Sequence, residues 1–177
     1  MSSVNSAPRK ELDRTGSWNS LKNRKDRKSR SSYYKEKPLK VAVVYLNPNN
    51  SESFDSVVRG LTRGIERQGH EVTLVDARTE ALLTPFSYIA VGTVAVSAFS
   101  KTVPESLGVF LKTAGRLTGK RCYAFVGRSG LRKRRLLASL MKTMEKEGMY
   151  LKTSDILGAA VEAETIGSRL RIEKSNI

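Results

Sequence analysis

Three short segments of this chain combine side-chain and backbone donors in a way that could hold an anion. The first, Asn47-Pro48-Asn49-Asn50-Ser51-Glu52-Ser53, places Asn47, Asn49, Asn50, Ser51 and Ser53 between a β-branched run and an amphipathic stretch. A helix start offers unpaired N–H groups and the positive end of the helix dipole, which suits a phosphate. The same residue types also turn a chain and cap a helix with no ligand involved. The second segment, Thr93 to Lys101, brings Thr93, Val94 and one aromatic, Phe99, which suits stacking on a flat ligand or anchoring the loop to the body. The third is Gly127-Arg128-Ser129-Gly130. Just beyond it, Arg132-Lys133-Arg134-Arg135 opens a helical stretch. The dipole disfavours positive charge at a helix start, so this run points to a ligand or partner that supplies negative charge, beside the plainer reading of a solvated face. Arg128 stands where it would join that group.

Other chemistries lack their residues. One cysteine, Cys122, allows neither an internal disulfide framework nor a multi-cysteine zinc site, and it lies inside an apolar run, as a buried thiol would. One histidine, His70, sits in a Gly-His-Glu turn, so chemistry that needs two histidines is absent.

The elements that must position these loops follow from hydrophobic spacing. Lys40 to Leu46 is a short, continuous, β-branched run and reads as a buried parallel strand. Phe54, Val57, Val58, Leu61 and Ile65 recur at helical spacing up to Gly69, with Ser51 or Ser53 as the cap. Further strands are expected at Glu71–Val75, Tyr88–Gly92, Arg121–Val126 and Met149–Lys152. Further helices are expected on the faces Leu107, Phe110, Leu111, Ala114; Leu137, Leu140, Met141, Met144; and Ala163, Ile166, Gly167, Leu170. Alternating strands and helices predict an α/β fold, a three-layer sandwich around a five-stranded parallel sheet. In such sheets ligands bind beyond the carboxyl ends of the strands, where all three loops fall.

The 177 residues fit one domain plus a tail, and the charge divides the same way. Residues 1–40 hold 12 basic and 4 acidic side chains, whereas residues 41–177 hold 20 and 13. Residues 1–38, rich in Ser, Asn, Lys and Arg, cannot bury enough apolar surface to offset their ordering entropy, so a disordered basic tail is expected ahead of a domain over 39–177. Its run Lys22 to Arg30, within the basic stretch 9–40, suits nucleic acid or another anionic partner, or is simply solvated. No apolar run is long enough to span a bilayer and no secretory signal is visible, so a cytoplasmic, reducing setting is expected.

The order of elements resembles the flavodoxin-like family over about residues 39–173. The likeness rests on Val41 to Tyr45 leading into the first loop, on Gly64-Ile65-Glu66-Arg67-Gln68-Gly69-His70-Glu71-Val72, on Tyr88 to Thr93, on Lys101 to Lys112, and on Gly119 to Phe125. The resemblance implies strand order 2-1-3-4-5. It also implies FMN, with its phosphate on Asn47 to Ser53 and its ring between Thr93–Phe99 and Gly127–Gly130, together with a redox partner protein. The departures are that the first loop lacks the family's hydroxyl- and glycine-rich pattern, Pro48 removes a donor, and Glu52 adds a negative charge. The body is basic where electron-carrier flavodoxins are acidic. A flavin-free module that uses its basic tail and Arg132 to Arg135 on nucleic acid or an acidic partner is therefore the other reading. A receiver domain of the same architecture needs carboxylates after the first and third strands, and Leu46-Asn47-Pro48 and Gly92-Thr93-Val94 have none.

Overall fold

The structure, a computed structural model, describes residues 37–173. All but the end of the expected tail lies outside the described residues. β1 (Lys40–Leu46), β2 (Glu71–Asp76), β3 (Tyr88–Thr93), β4 (Arg121–Gly127) and β5 (Tyr150–Leu157) form one all-parallel sheet in the order β2-β1-β3-β4-β5. Every residue of the central strand β3 is buried, as its unbroken apolar run requires. Its register sets Leu46 opposite Thr93 on one side and Thr93 opposite Val126 on the other, so β1, β3 and β4 end level. Level ends present the three loops along one edge.

Side chains alternate between two cores. Ala42, Val44, Ile89, Val91, Cys122 and Ala124 face α2 (Glu105–Thr113) and α3 (Lys133–Lys146). Val41, Val43, Tyr88, Ala90, Tyr123 and Phe125 face α1 (Glu52–Arg67) and α4 (Ala160–Gly167). Burial pushes the Cys122 thiol up to about 12, as expected of a packing residue. Among the described residues no helix is long and apolar enough to cross a membrane.

α1 and α4 meet almost backbone to backbone. A methyl group at Gly60 would stand 2.3 Å from the Ala160 carbonyl oxygen, and one at Gly64 would stand 2.2 Å from that of Glu164. Glu164 also pairs with Arg63 and Arg67, at 3.2 and 2.5 Å. The small-residue stripe, and not apolar bulk, brings the last helix close.

Three local expectations change. β5 runs from Tyr150 to Leu157, not Met149 to Lys152: its polar middle hides it, but backbone pairing with β4 carries it on past a register shift at Cys122/Tyr123. The Tyr123 hydroxyl donates to the Asp155 carboxylate at 3.1 Å, which gives one of those polar residues a buried partner. α3 buries Leu136, Leu140 and Met144, an i, i+4, i+8 stripe, while Leu137 and Met141 are only partly covered. The last helix ends at Gly167, so Leu170 packs from beyond it.

Between β2 and β3 the chain crosses without a helix. Leu83, fully buried, fills the core from the 77–87 segment. Lys120 secures that segment by donating from Nζ to the carbonyls of Thr84 and Phe86, at 2.8 and 2.6 Å.

Candidate functional site

The first loop is closed by its own side chains. Asn47 is buried; its Nδ2 donates to the Ser51 carbonyl at 3.0 Å and to Asp55 Oδ1 at 2.8 Å, and its Oδ1 accepts from the Ser51 N–H at 2.9 Å. Asn50 takes the left-handed conformation at φ 49°, which asparagine tolerates better than most residues. Ser51 caps α1, its Oγ accepting from the Phe54 N–H at 3.4 Å and lying 2.9 Å from Ser53 Oγ. Glu52 and Asp55 add negative charge to the first turn. Donors left for a phosphate include the N–H groups of Glu52 and Ser53, which have no acceptor within the helix, the paired hydroxyls of Ser51 and Ser53, and the exposed Asn50 Nδ2.

Asn49 joins the first loop to the second, donating from Nδ2 to the carbonyls of Ala95 and Val96 at 2.9 and 3.1 Å. Thr93 and Val94 turn inward. Thr93 Oγ1 donates to the Leu46 carbonyl at 3.0 Å and fastens β3 to β1, while Val94 packs in the core. Phe99 stands outside it, 67% exposed, on a tight Ser97–Ser100 turn closed by three hydrogen bonds of 3.0 to 3.1 Å.

The third loop lies against the second. The Leu131 N–H donates to the Ala98 carbonyl at 2.9 Å, and Gly130 has φ +85° with so little room that a methyl group would stand 3.0 Å from Ala95 Cβ. Gly127, buried at the end of β4, gives the same clearance to Phe54 and Val94. Ser129 is exposed. Arg128 does not join the cations that follow it. Its Nη2 donates to both carboxylate oxygens of Glu162, at 2.8 and 2.9 Å, and its side chain lies over Gly158, where a methyl group would displace the guanidinium from 2.6 Å away.

Arg132, Lys133, Arg134 and Arg135 line a hollow of about 380 Å³ together with Leu131, and none of the four makes an ion pair among the described residues. The larger concavity lies elsewhere. A groove of about 740 Å³ runs between residues 77–82 and α2, beside the crossover that lacks a helix. It is not continuous with the three loops by its lining, so volume does not identify the site here.

Two features at this edge carry no local sequence signal. Arg78 grips Asp76 through Nε and Nη2 at 2.7 to 3.1 Å and reaches Asn50 Oδ1 at 3.4 Å, bracing the first loop from β2. That hydrogen bonding holds the Asp76 carboxyl below its ordinary range. Tyr45, beside it, has its phenol raised, chiefly by burial and then by the charges of Asp76 and Asp55. Leu131, 75% exposed, is the other, an apolar residue between a loop glycine and the cations.

No protein-family model matches this sequence, and no curated protein matches it. Solved structures do match. A flavodoxin from the domain Archaea is 19% identical with a TM-score of 0.56, over 73% of this chain and 94% of that one. Two-electron reduced Megasphaera elsdenii flavodoxin is 17% identical with a TM-score of 0.61, over 72% and 96%. Oxidised Flavodoxin 1 from Bacillus cereus is 13% identical with a TM-score of 0.58, over 73% and 95%. At these identities the likeness is one of architecture, and with the order β2-β1-β3-β4-β5 it establishes that the described chain has the flavodoxin-like fold.

Proposed function

We propose that this chain is a flavodoxin-like flavoprotein that binds FMN at its three carboxyl-edge loops and takes part in electron transfer or flavin-dependent reduction. The observation that carries the reading is the joining of those loops: Asn49 bonds the first to the second, Leu131 bonds the third to the second, and Phe99 is left exposed beside them. The solved neighbours, described in oxidised and two-electron reduced forms, support it.

The donor set fits the group at both ends. The N–H groups of Glu52 and Ser53 and the hydroxyls of Ser51 and Ser53 would take the phosphate, and Phe99, with the backbone of Thr93–Val94 and Gly127–Gly130, would flank the ring. Asn47 and Asn49 act one step back by holding the loop in shape, while Asn50 adds its exposed Nδ2 to the donors. Bound FMN would supply the redox chemistry, and the protein its placement and electrostatics. The carboxylate of Glu52 opposes a phosphate at the same helix start. Glu52→Gln is therefore expected to tighten FMN binding by roughly two- to fivefold, the scale of one charge at a helix end.

Titration with FMN tests the reading. Quenched flavin fluorescence and a stabilisation of about 2.7 kcal/mol at a hundredfold excess over Kd are expected by mass action. FMN that saturates the assay with neither effect leaves the second reading, the flavin-free binding module. The cations Arg132 to Arg135, which make no ion pair among the described residues, favour that reading. The division into a basic tail over 1–38 and a domain over 39–177 belongs to the same proposal, and so does nucleic acid as one possible anionic partner.

A further inference from the structure

The start of α3 departs from the other three helices. Each of those has an acid in its first turn, whereas α3 has none and carries Arg132 at its cap followed by Lys133, Arg134 and Arg135. Several arginines elsewhere on this fold have carboxylate partners: Arg63 and Arg67 share Glu164, Arg78 holds Asp76, and Arg128, only a few residues away, is taken by Glu162, while scattered cations such as Arg59, Lys112 and Arg116 make no ion pair among the described residues. The four at α3 have no such partner among the described residues. Leu131, 75% exposed, lines the same hollow as these cations, and the loop to which it bonds carries two more exposed apolar side chains, Phe99 at 67% and Val96 at 49%. The Leu131–Ala98 hydrogen bond of 2.9 Å keeps the two loops that bear them side by side.

We propose that this surface, with Leu131 at its centre, Phe99 and Val96 next to it and Arg132 to Arg135 along its border, docks an acidic protein whose apolar patch is ringed by Asp and Glu. An apolar centre within a charged border is the anatomy of a protein interface. Charge complementarity at such a border steers encounter and rejects wrong partners. A single-stranded nucleic acid fits less well, because strand binders interleave stacking aromatics with cations and this surface offers one ring among aliphatic side chains. The inference goes beyond the flavin reading and stands without it, since the chain's own side chains build the surface.

The test uses the full-length protein and two synthetic peptides. One sets Glu and Asp around a central Leu-Leu-Phe, and the other replaces that centre with Ser. Oligothymidylate of matched charge is the third probe. Replacing Arg132, Lys133, Arg134 and Arg135 together with Ser is expected to weaken the apolar-centred peptide by about tenfold or more and to flatten its salt dependence. Leu131→Ser is expected to abolish the preference for the apolar-centred peptide over its Ser counterpart, with thermal melts showing both variants folded. Affinities for that peptide within about twofold of wild type in both variants overturn the proposal. So does oligothymidylate that binds more tightly than the peptide and is indifferent to Leu131→Ser, which assigns the surface to nucleic acid. FMN titration of the four-Ser protein separates the two readings. Quenching retained while peptide binding falls supports both. Peptide binding that behaves as expected, with no quenching in any of the proteins, retires the flavin reading alone.

Discussion

Two helix starts lie on the same edge of the sheet and are built in opposite ways. α1 begins with a serine cap, a buried asparagine that binds the cap residue on two sides, and two carboxylates in its first turn. α3 begins with an arginine at the cap position, no side-chain cap bond and three more cations. The dipole makes each exposed charge at a helix end worth about 0.3 to 1 kcal/mol, favourable at α1 and unfavourable at α3. The first arrangement is what stability alone selects. The second lowers stability, and that loss is understandable where the charges meet something from outside the fold. A well-satisfied loop and a poorly satisfied one, set side by side, thus separate residues that shape the edge from residues that are left to act at it.

The largest effect should come from breaking the satisfied start. Asn47→Ala removes three hydrogen bonds from a buried position, two of them to Ser51. The expected loss is about 2 kcal/mol, read as a lower denaturant midpoint. A loss well under about 0.5 kcal/mol would mean that water replaces the amide and that the loop is less committed than its geometry indicates.

A smaller effect of opposite sign is expected at α3. Lys133→Glu with Arg134→Glu converts two unfavourable charges into favourable ones and should raise stability by roughly 1 kcal/mol, while binding of an acidic probe falls. Unchanged stability with unchanged binding would remove the contrast between the two helix starts. The smallest stability change is expected for Glu52→Gln, a loss of about 0.5 kcal/mol, since Asp55 still complements the α1 dipole. Its value lies in the pairing with tighter FMN binding, because stability and affinity should move in opposite directions.

The architecture was legible in the chain because the signals that specify it are local. An unbroken β-branched run such as Val41 to Tyr45 has one good solution, a strand covered on both faces, and Phe54, Val57, Val58, Leu61 and Ile65 fix one face of a helix. Once those elements alternate, the parallel sheet and the edge that carries its loops follow. Even there, a strand held by backbone pairing through Lys152-Thr153-Ser154-Asp155 escapes hydrophobic patterning.

The condition of each loop side chain was not legible, because partners from distant elements decide it. Asn49 was readable as a turn residue, but only the fold sets the Ala95 and Val96 carbonyls before its amide. Arg128 reads like its basic neighbours until the fold places Glu162 in reach and Gly158 beneath it. Thr93 and Val94 lie in a loop by sequence and in the core by structure. The sequence by itself determined the order of strands and helices and the edge at which chemistry can occur, though not the extent of β5, since period and propensity are properties of neighbouring residues. Only the tertiary structure decided which side chains at that edge are spent on holding it together and which remain exposed, since hydrogen-bond and charge satisfaction depend on atoms brought together from far along the chain.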